Sequence, residues 1–332
     1  MATPFLIEAA RAPKPRLSEV LFDRMDRRFG SIAELPSNVE AIEAGLLFAV
    51  GLNPFVAILG PSGWGKTHLL ECVANHMQRE FGTRTKIINA FDWIEGRHTS
   101  DVHLPLLLDD VQEALTRTRS RVQLRLGLER RVRIGRPTML AATGDGLARQ
   151  LLGFLPSRRE WGLHEIGQPT SSERKTVVEK MAAAEKLEVS KVLAVLLATR
   201  MKGNGNTLHG ALNRLKLAGN KWSMPNEVLN ACGILDPFFA DNSAWDLKEK
   251  IRAAADKTAR QFPKIDSSQL SCFAMIQTAQ LCELDVARFC SLEPAKARAQ
   301  SIKFQKSLSD SDSVESAFNH FLNTVVESLP ES

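Results

Sequence analysis

A glycine-rich octapeptide is the sharpest chemical signal in the sequence. It reads Gly-Pro-Ser-Gly-Trp-Gly-Lys-Thr and fits the pattern GxxxxGK[ST]. Glycines at these positions let successive backbone N–H groups turn towards phosphate oxygens at the start of a helix. The lysine would reach the terminal phosphates, and the threonine hydroxyl would bind Mg²⁺. We therefore expect a site for ATP or ADP with Mg²⁺, formed by Gly60, Pro61, Ser62, Gly63, Trp64, Gly65, Lys66 and Thr67, with His68 adjoining them.

Two consecutive carboxylates follow an apolar run further along the chain. Asp109 and Asp110 end the segment Leu-Pro-Leu-Leu-Leu-Asp-Asp. A strand that ends in acids beside a phosphate-binding loop brings carboxylates to the metal ion and the attacking water. We expect Asp109 to hold Mg²⁺ through water, together with Thr67. Asp110 would orient or deprotonate the water, so Lys66 and Asp110 are the predicted catalytic side chains.

The elements that must position these residues alternate along the chain. Short apolar runs (VAILG, KIINAF, LPLLLDD, TMLAAT and LHEI) alternate with helical patterns, which predicts βαβ units around a doubly wound parallel sheet. Apolar residues three and four apart then predict a helical lid and a C-terminal all-α domain. We expect an N-terminal arm (1–30), an α/β domain (31–167), a lid (168–222), a Pro- and Gly-containing linker (223–242) and a C-terminal helical domain (243–332).

The composition is typical of a soluble globular chain. With 44% hydrophobic and 24% charged residues among 332, disorder is not expected. Apolar stretches of about five residues are far shorter than the roughly 20 of a membrane-spanning helix. The first residues contain no signal-peptide core, and the five cysteines form no CxxC pair. We therefore expect a cytoplasmic protein, free or associated with the nucleoid, with no membrane partner.

Positive charge is concentrated in one segment. Between Arg117 and Arg136 there are eight arginines and one acid. In a helix, Arg121 and Arg125 would lie one turn apart on one face, with Leu124 and Leu128 on the packed side. This face would contact nucleic-acid phosphates, remain solvated, or pair with an acidic partner.

A second basic cluster lies near the end of the chain, in the segment AKARAQSIKFQK. Arg298 and Lys303 are its candidate nucleic-acid contacts. Ile302 and Phe304 interleave with them, but their helical spacing favours core positions over base stacking.

Four stretches together resemble the DnaA-type branch of the AAA+ ATPases, the bacterial replication initiators and their Hda-type regulators. They are PSNVEAIEAGLLFAVGLNPFVAILGPSGWGKTHLL, LLLDDVQ, LPSRREWGLHEIGQP with SSER, and HGALNRL, in this order over about residues 36 to 217. The resemblance implies a P-loop AAA+ fold, ATP or ADP with Mg²⁺, and head-to-tail assembly of copies. It also implies a nucleotide-controlled switch in bacterial chromosome replication initiation or its regulation.

The resemblance assigns roles to further residues. Pro36 and Asn38 fall where the family has the segment near the adenine. Arg158 matches the arginine finger, which reaches the nucleotide of a neighbouring subunit and would make it a third catalytic residue. The family's first sensor position falls on either Thr143 or Asp145.

Three departures from the family pattern change what we expect. Asn206 stands where the family has the lid arginine that contacts nucleotide, and a neutral amide makes weaker contacts than a charged group, so we expect either slow hydrolysis or a nucleotide that acts as a structural ligand. Only Ala90–His103 separates the second and third strands, which leaves room for one short helix. The nearest likeness to the family's DNA-reading signature, Ser309–Val314, lacks the arginine and adds an acid, which predicts a degenerate DNA-binding-like domain.

Two alternative functions stay open. One is a DNA-binding initiator whose C-terminal helix-turn-helix domain has drifted in sequence. The other is an adaptor that keeps the nucleotide fold and works through contacts with a replication initiator, a helicase or a sliding clamp. The segment Arg16–Phe22 is the candidate docking peptide for such contacts.

Overall fold

The computed structural model describes residues 28–97, 103–144, 151, 153–239 and 246–329. The chain forms two compact units, Met1–Thr170 and Ser171–Ser332. Nearly all of the predicted arm, with the segment Arg16–Phe22, lies outside the described residues, as does Asp145. Within the described ranges no helix is both long and apolar enough to cross a bilayer.

The first unit is built on a five-stranded parallel sheet in the order β2-β3-β4-β1-β5. All five predicted apolar runs form its strands, and β1, β3 and β4 are almost fully buried, as expected for a parallel sheet covered on both faces. The strands are β1 (Phe55–Gly60), β2 (Ile87–Asn89), β3 (Leu106–Asp109), β4 (Thr138–Thr143) and β5 (Gly162–Glu165).

Helices cover both faces of this sheet. One face packs against α5 through Leu124 and Leu128, and the other packs against residues such as Phe48 of α1 and Leu70 of α2. This arrangement confirms the predicted doubly wound α/β class. The helices are α1 (Val39–Ala49), α2 (Lys66–Phe81), α3 (Ala90–Ile94), α4 (Val111–Leu115) and α5 (Thr118–Arg133).

One of the eight arginines in the basic segment belongs to the core. The side chain of Arg131 is only 3% exposed. Its Nε donates to Thr138 Oγ1 at 2.9 Å, and Nη2 donates to Leu104 O at 2.7 Å and Pro137 O at 3.0 Å. Burial lowers the pKa of Arg131 to about 10, and nearby Arg136 contributes. Arg131 therefore ties α5 to the start of two strands and is not available to phosphates.

We expect Arg131→Met to lower the free energy of unfolding by about 2 kcal/mol, because it leaves buried acceptors without donors. Arg130→Met is the matched control, since Arg130 is exposed one position earlier on the same helix. Urea unfolding of both variants measures the difference. Equal stability of the two variants would contradict the structural role of Arg131.

The second unit is helical, apart from a two-stranded parallel pair formed by Glu188–Val189 and Lys221–Trp222. The three predicted lid helices form α6, α7 and α8, and a π-helical turn at Ala274–Thr278 follows α11. The helices are α6 (Ser171–Ala184), α7 (Lys191–Arg200), α8 (Gly205–Ala218), α9 (Pro225–Phe239), α10 (Leu247–Gln261), α11 (Ser267–Phe273), α12 (Glu283–Phe289), α13 (Pro294–Asp310) and α14 (Asp312–Ser328).

Most of the predicted linker at 223–242 is instead helix α9. Its apolar residues, including Val228, Cys232 and Leu235, are fully buried within the second unit. Pro225 does not oppose the helix because it stands at its first position, where a helix tolerates proline. The Pro and Gly content suggested a linker, but the apolar spacing decided the structure.

A buried carboxylate joins two helices of the second unit. Glu185 Oε2 accepts from Lys216 Nζ at 2.5 Å, and His209 Nε2 lies 3.5 Å from Glu185 Oε1. The hydrogen bond from Lys216 lowers the pKa of Glu185, with burial opposing and His209 adding to the effect. The pair therefore stabilises the fold only where Glu185 is ionised.

We expect Glu185→Gln to destabilise the second unit by about 1 kcal/mol at pH 7, because Lys216 is half exposed and partly screened. The pKa of Glu185 is lower in the folded state, so this stability is present above its ordinary pKa and is lost as the pH falls through the folded value. Denaturation of both proteins at pH 7 and about pH 3 should show the difference shrinking. Glu179→Gln, in an exposed pair with Lys175, serves as control.

Candidate functional site

In the first unit, the residues that the sequence predicts to act at a nucleotide lie together at one edge of the sheet. In a parallel sheet the carboxyl ends of all strands lie together, and ligands bind at that edge. The glycine-rich loop follows β1, the two acids follow β3, and Thr143 ends β4 beside Gly60. The sequence pattern therefore becomes a spatial cluster.

Two glycines allow the loop its path. A Cβ on Gly60 would lie 2.4 Å from the carbonyl oxygen of Ile166, so only glycine permits this backbone approach. Gly65 has φ 97°, a left-handed conformation that glycine adopts without strain, and it directly precedes α2. Space around Gly65 is open. The loop thus leads into the amino end of a long helix, where backbone N–H groups favour anions.

Lys66 is held across the loop by the loop's own carbonyls. Its Nζ donates to Gly60 O at 2.9 Å and to Pro61 O at 2.8 Å, and the residue is 6% exposed. Burial lowers the pKa of Lys66, while Asp109 and Asp110 oppose that shift. The side chain is thus a poorly hydrated cation at the mouth of the loop.

Thr67 and Asp109 offer two hard oxygen ligands side by side. Thr67 Oγ1 donates to Asp109 Oδ2 at 2.6 Å, and Asp109 is 8% exposed. Burial raises the pKa of Asp109, and the bond from Thr67 partly opposes it. A divalent cation here would favour the ionised carboxylate. The pair fits Mg²⁺, which binds few protein oxygens and takes its other ligands from phosphate and water.

No His, Cys, Asp or Glu cluster of three or more suited to a metal occurs among the described residues.

Asp110 is placed by an unusual backbone conformation and by a neighbouring amide. Its φ of 53° is in the left-handed region, which turns the chain from β3 into α4. Gln112 Nε2 donates to Asp110 Oδ1 at 2.8 Å. Gln112 Oε1 accepts from the backbone N–H of Thr143, also at 2.8 Å. The motif LLLDDVQ ends in this glutamine, and its position two residues after Asp110 is the only sign in the sequence that it belongs to the site.

The predicted adenine segment is fixed by its own side chain. Asn38 is buried, and its amide accepts from Leu35 N and donates to Ala33 O, both at 2.9 Å. Pro36 is exposed. The backbone of Asn38 is engaged as well, since its N–H donates to Leu35 O and its carbonyl accepts from Ile42 N.

Trp64 and His68 make contacts around the loop. Trp64 is half-buried against the apolar cluster that includes α1 and α2. The Nε2 atom of His68 lies 3.0 Å from Ser31 Oγ. His68 thus joins the segment before α1 to the start of α2.

Arg158 and Asn206 lie in different units. Arg158 is exposed and begins a 3₁₀ turn, Arg158–Glu160, just before β5. Asn206 is exposed in the first turn of α8, and its backbone N–H donates to the capping oxygen of Asn204 at 3.1 Å. Their predicted roles at a nucleotide stay predictions.

The basic face of α5 is arranged as predicted. Arg121 and Arg125 are exposed, and Leu124 and Leu128 are fully buried. Leu126 is exposed beside the arginines. The face is therefore basic with an apolar component.

The C-terminal cluster is partly as predicted. Arg298 and Lys303 are exposed on α13, and Arg298 Nε lies 3.7 Å from Glu283 Oε1. Phe304 is buried, at 3% exposure, which confirms its core position. Ile302 is 43% exposed, so its predicted core position is wrong: it lies on the same outer surface as its basic neighbours.

The nearest likeness to the DNA-reading signature lies between two helices. Ser309–Val314 forms the junction of α13 and α14. A short helix (α12), four residues (Cys290–Glu293) and a long helix (α13) instead have the connectivity of a helix-turn-helix. The turn contains Ser291 with φ 55°, a conformation that usually takes glycine. Serine at this position does not mark the left-handed turn in the way that a glycine would.

Comparison with known proteins finds sequence similarity to replication initiators. No protein-family model matches the chain. The chain is 28% identical over 182 residues to the chromosomal replication initiator protein DnaA of Laribacter hongkongensis, which covers 49% of this chain and 37% of that protein. It is 25% identical over 237 residues to the DnaA of Chromobacterium violaceum, covering 66% and 49%. The chain thus spans less than half the length of these relatives.

Solved structures agree on the fold. Domain III of the Thermotoga maritima replication initiation protein DnaA matches with a TM-score of 0.52 and 21% identity, over 64% of this chain and 97% of that one. The replication initiator DnaA bound to AMPPCP and single-stranded DNA matches with a TM-score of 0.51 and 17% identity, over 92% and 98%. The chain is thus similar in sequence to DnaA replication initiators over part of its length, and it shares the fold of the DnaA structures.

Proposed function

We propose that this replication-initiator-like AAA+ protein binds ATP or ADP with Mg²⁺ and acts as a nucleotide-controlled switch in bacterial chromosome replication initiation or its regulation. The observation that carries the proposal is the cluster of Lys66, Thr67 and Asp109 at the carboxyl edge of the sheet, beside the amino end of α2. A nucleotide-bound DnaA among the similar folds supports it. In this role the protein would work in the cytoplasm, at the nucleoid.

Each residue has a defined task in this proposal. The ammonium of Lys66 exchanges the carbonyls of Gly60 and Pro61 for phosphate oxygens, which bind a cation more strongly. Thr67 and Asp109 hold Mg²⁺, which would neutralise charge on the phosphates. Asp110 orients the attacking water, and Arg158 completes the site of a neighbouring copy in a head-to-tail assembly. Asn206 replaces a charged group in the lid, so turnover is slow.

A titration of the full chain with ATP and ADP, with and without Mg²⁺, tests the switch. Fluorescence of Trp64, within the loop, reports binding, and phosphate release reports turnover. The proposal requires Mg²⁺-dependent binding and slow turnover that falls further in Arg158→Ala. Absence of nucleotide binding would refute it, and binding without any turnover would favour an adaptor that works through an initiator, a helicase or a sliding clamp.

The connectivity of α12 and α13 favours a second candidate function, duplex DNA binding by the C-terminal domain. In helix-turn-helix proteins the second helix enters the major groove, and here that helix exposes Arg298 and Lys303. The face of α5 with Arg121 and Arg125 is the competing candidate, for single-stranded or duplex DNA. A drifted initiator would use α13.

Two double variants of the full chain test which of the two surfaces binds DNA. Affinity for single-stranded and duplex DNA is measured over a range of salt concentrations for Arg298→Ala with Lys303→Ala, and for Arg121→Ala with Arg125→Ala. Each lost phosphate contact should reduce the salt slope by about 0.7 to 0.9. A pair that leaves affinity and slope unchanged excludes its surface from DNA binding.

A further inference from the structure

We propose that Gln112 is a positioning residue, which holds the Asp110 carboxylate in a fixed orientation relative to the end of β4. The inference rests on the proposed nucleotide chemistry and adds to it the residue that aims its water-orienting group. It is carried by two hydrogen bonds of one side-chain amide, each 2.8 Å long.

The backbone explains why residue 112 reaches both partners. β3 ends at Asp109, and the left-handed Asp110 turns the chain away from the sheet into α4. Gln112 therefore lies in the first turn of α4, near the edge that β3 has just left. Its side chain can extend back towards β4, the strand that pairs with β3 and ends at Thr143.

In that neighbouring strand, β4, the backbone N–H of Thr143 needs a hydrogen-bond acceptor. The β3–β4 ladder pairs Leu108 with Leu140, and Thr143 lies three residues further along β4. There the chain of β3 has already turned away, so it offers no carbonyl. Gln112 Oε1 accepts from the Thr143 N–H in its place. The glutamine thus extends the contact between the two strands beyond their last ladder pair.

The other end of the same amide determines the direction of the carboxylate. Gln112 Nε2 donates to Oδ1 of Asp110, and a carboxylate with one oxygen held has its second oxygen directed as well. Lys66 and Asp109 are charged groups that lie near Asp110. An uncharged donor stabilises the Asp110 carboxylate there without adding another charge.

Only a side-chain amide of this length can both donate to Asp110 and accept from the N–H of Thr143. Glutamate would keep an acceptor for Thr143 N–H, but it would lose the donor and place a like charge beside Asp110. Leucine would fill a similar volume and make neither bond. The two substitutions therefore separate the bond to Asp110 from the bond to Thr143.

The test compares Gln112→Glu and Gln112→Leu with the unaltered full chain. The rate of a single ATP turnover and the Kd of Mg-ATP, from Trp64 fluorescence, are measured for each protein. Both variants should lose turnover by about tenfold or more, as expected when a reacting group is misdirected, with the Kd changed less than threefold. Gln78→Glu and Gln78→Leu are matched controls, since Gln78 is exposed on α2.

Each alternative outcome has a distinct meaning. Turnover at the unaltered rate in Gln112→Leu, or a rise in Kd that matches the fall in rate, would overturn the positioning role. Unaltered protein that binds Mg-ATP but never turns it over would overturn this inference and leave nucleotide binding in place. Unaltered protein that does not bind Mg-ATP would overturn the proposed function together with it.

Discussion

Replacing Lys66 with methionine is expected to weaken the binding of Mg-ATP by about 100-fold or more, which corresponds to about 2.7 kcal/mol. Lys66 is buried at the mouth of the loop, where its ammonium is bound by two carbonyls rather than by bulk water. A phosphate that replaces those carbonyls gains a charge-assisted bond at little desolvation cost. Methionine keeps the length and the apolar stem but removes the charge.

The control for Lys66→Met is Lys86→Met, because Lys86 is exposed just before β2. Trp64 fluorescence titrations should give an unchanged Kd for this control. Thermal unfolding of both variants should remain close to that of the unaltered chain, since burial already disfavours the charged form of Lys66. A Kd for Lys66→Met within threefold of the original would contradict the phosphate role of the loop.

The sheet and the glycine-rich loop were predictable because their signals are local. Each strand is a short apolar run in the sequence. The glycine-rich loop and the two acids follow directly at the carboxyl ends of β1 and β3. In Gly60–Thr67, the glycines by themselves predict the backbone conformation of the loop. The position of these segments next to one another then follows from parallel pairing, without knowledge of the rest of the chain.

Gln112 and Arg131 could not be found in this way. The role of Gln112 depends on the left-handed turn at Asp110 and on β4 lying beside β3, and both are properties of the folded chain. Arg131 stands among exposed arginines of the same type, and only the fold turns it towards Leu104 O and Pro137 O. Side chains whose partners are backbone groups of distant segments leave no spacing pattern.

The helix at 225–239 shows a different limit of local signals. Gly233 and two prolines suggested a linker, because these residues usually interrupt helices. In the fold, Gly233 is instead a packing residue. Its missing side chain admits the backbone of the π-helical turn that ends near Ala279. The glycine therefore marks a close contact between two helical segments.

Gly233→Ala is accordingly expected to destabilise the second unit by about 3 kcal/mol or more. A Cβ at this position would lie 1.7 Å from the carbonyl oxygen of Ala279 and 2.7 Å from its carbonyl carbon. Both are backbone atoms, so no side-chain rotation relieves the overlap and one segment must move away. The better helix propensity of alanine, about 1 kcal/mol, offsets only part of this cost.

Gly210→Ala gives the opposite expectation from the same chemical change. Gly210 is exposed within α8, and a Cβ there meets no atom within 4 Å, so the variant should gain up to about 1 kcal/mol. Urea unfolding, with hydrogen exchange of peptides from α9, measures both variants. If Gly233→Ala proved as stable as Gly210→Ala, α9 would not pack against the turn at Ala279. Destabilisation confined to Gly233→Ala means that this segment is an internal helix of the second unit and cannot act as a flexible connection.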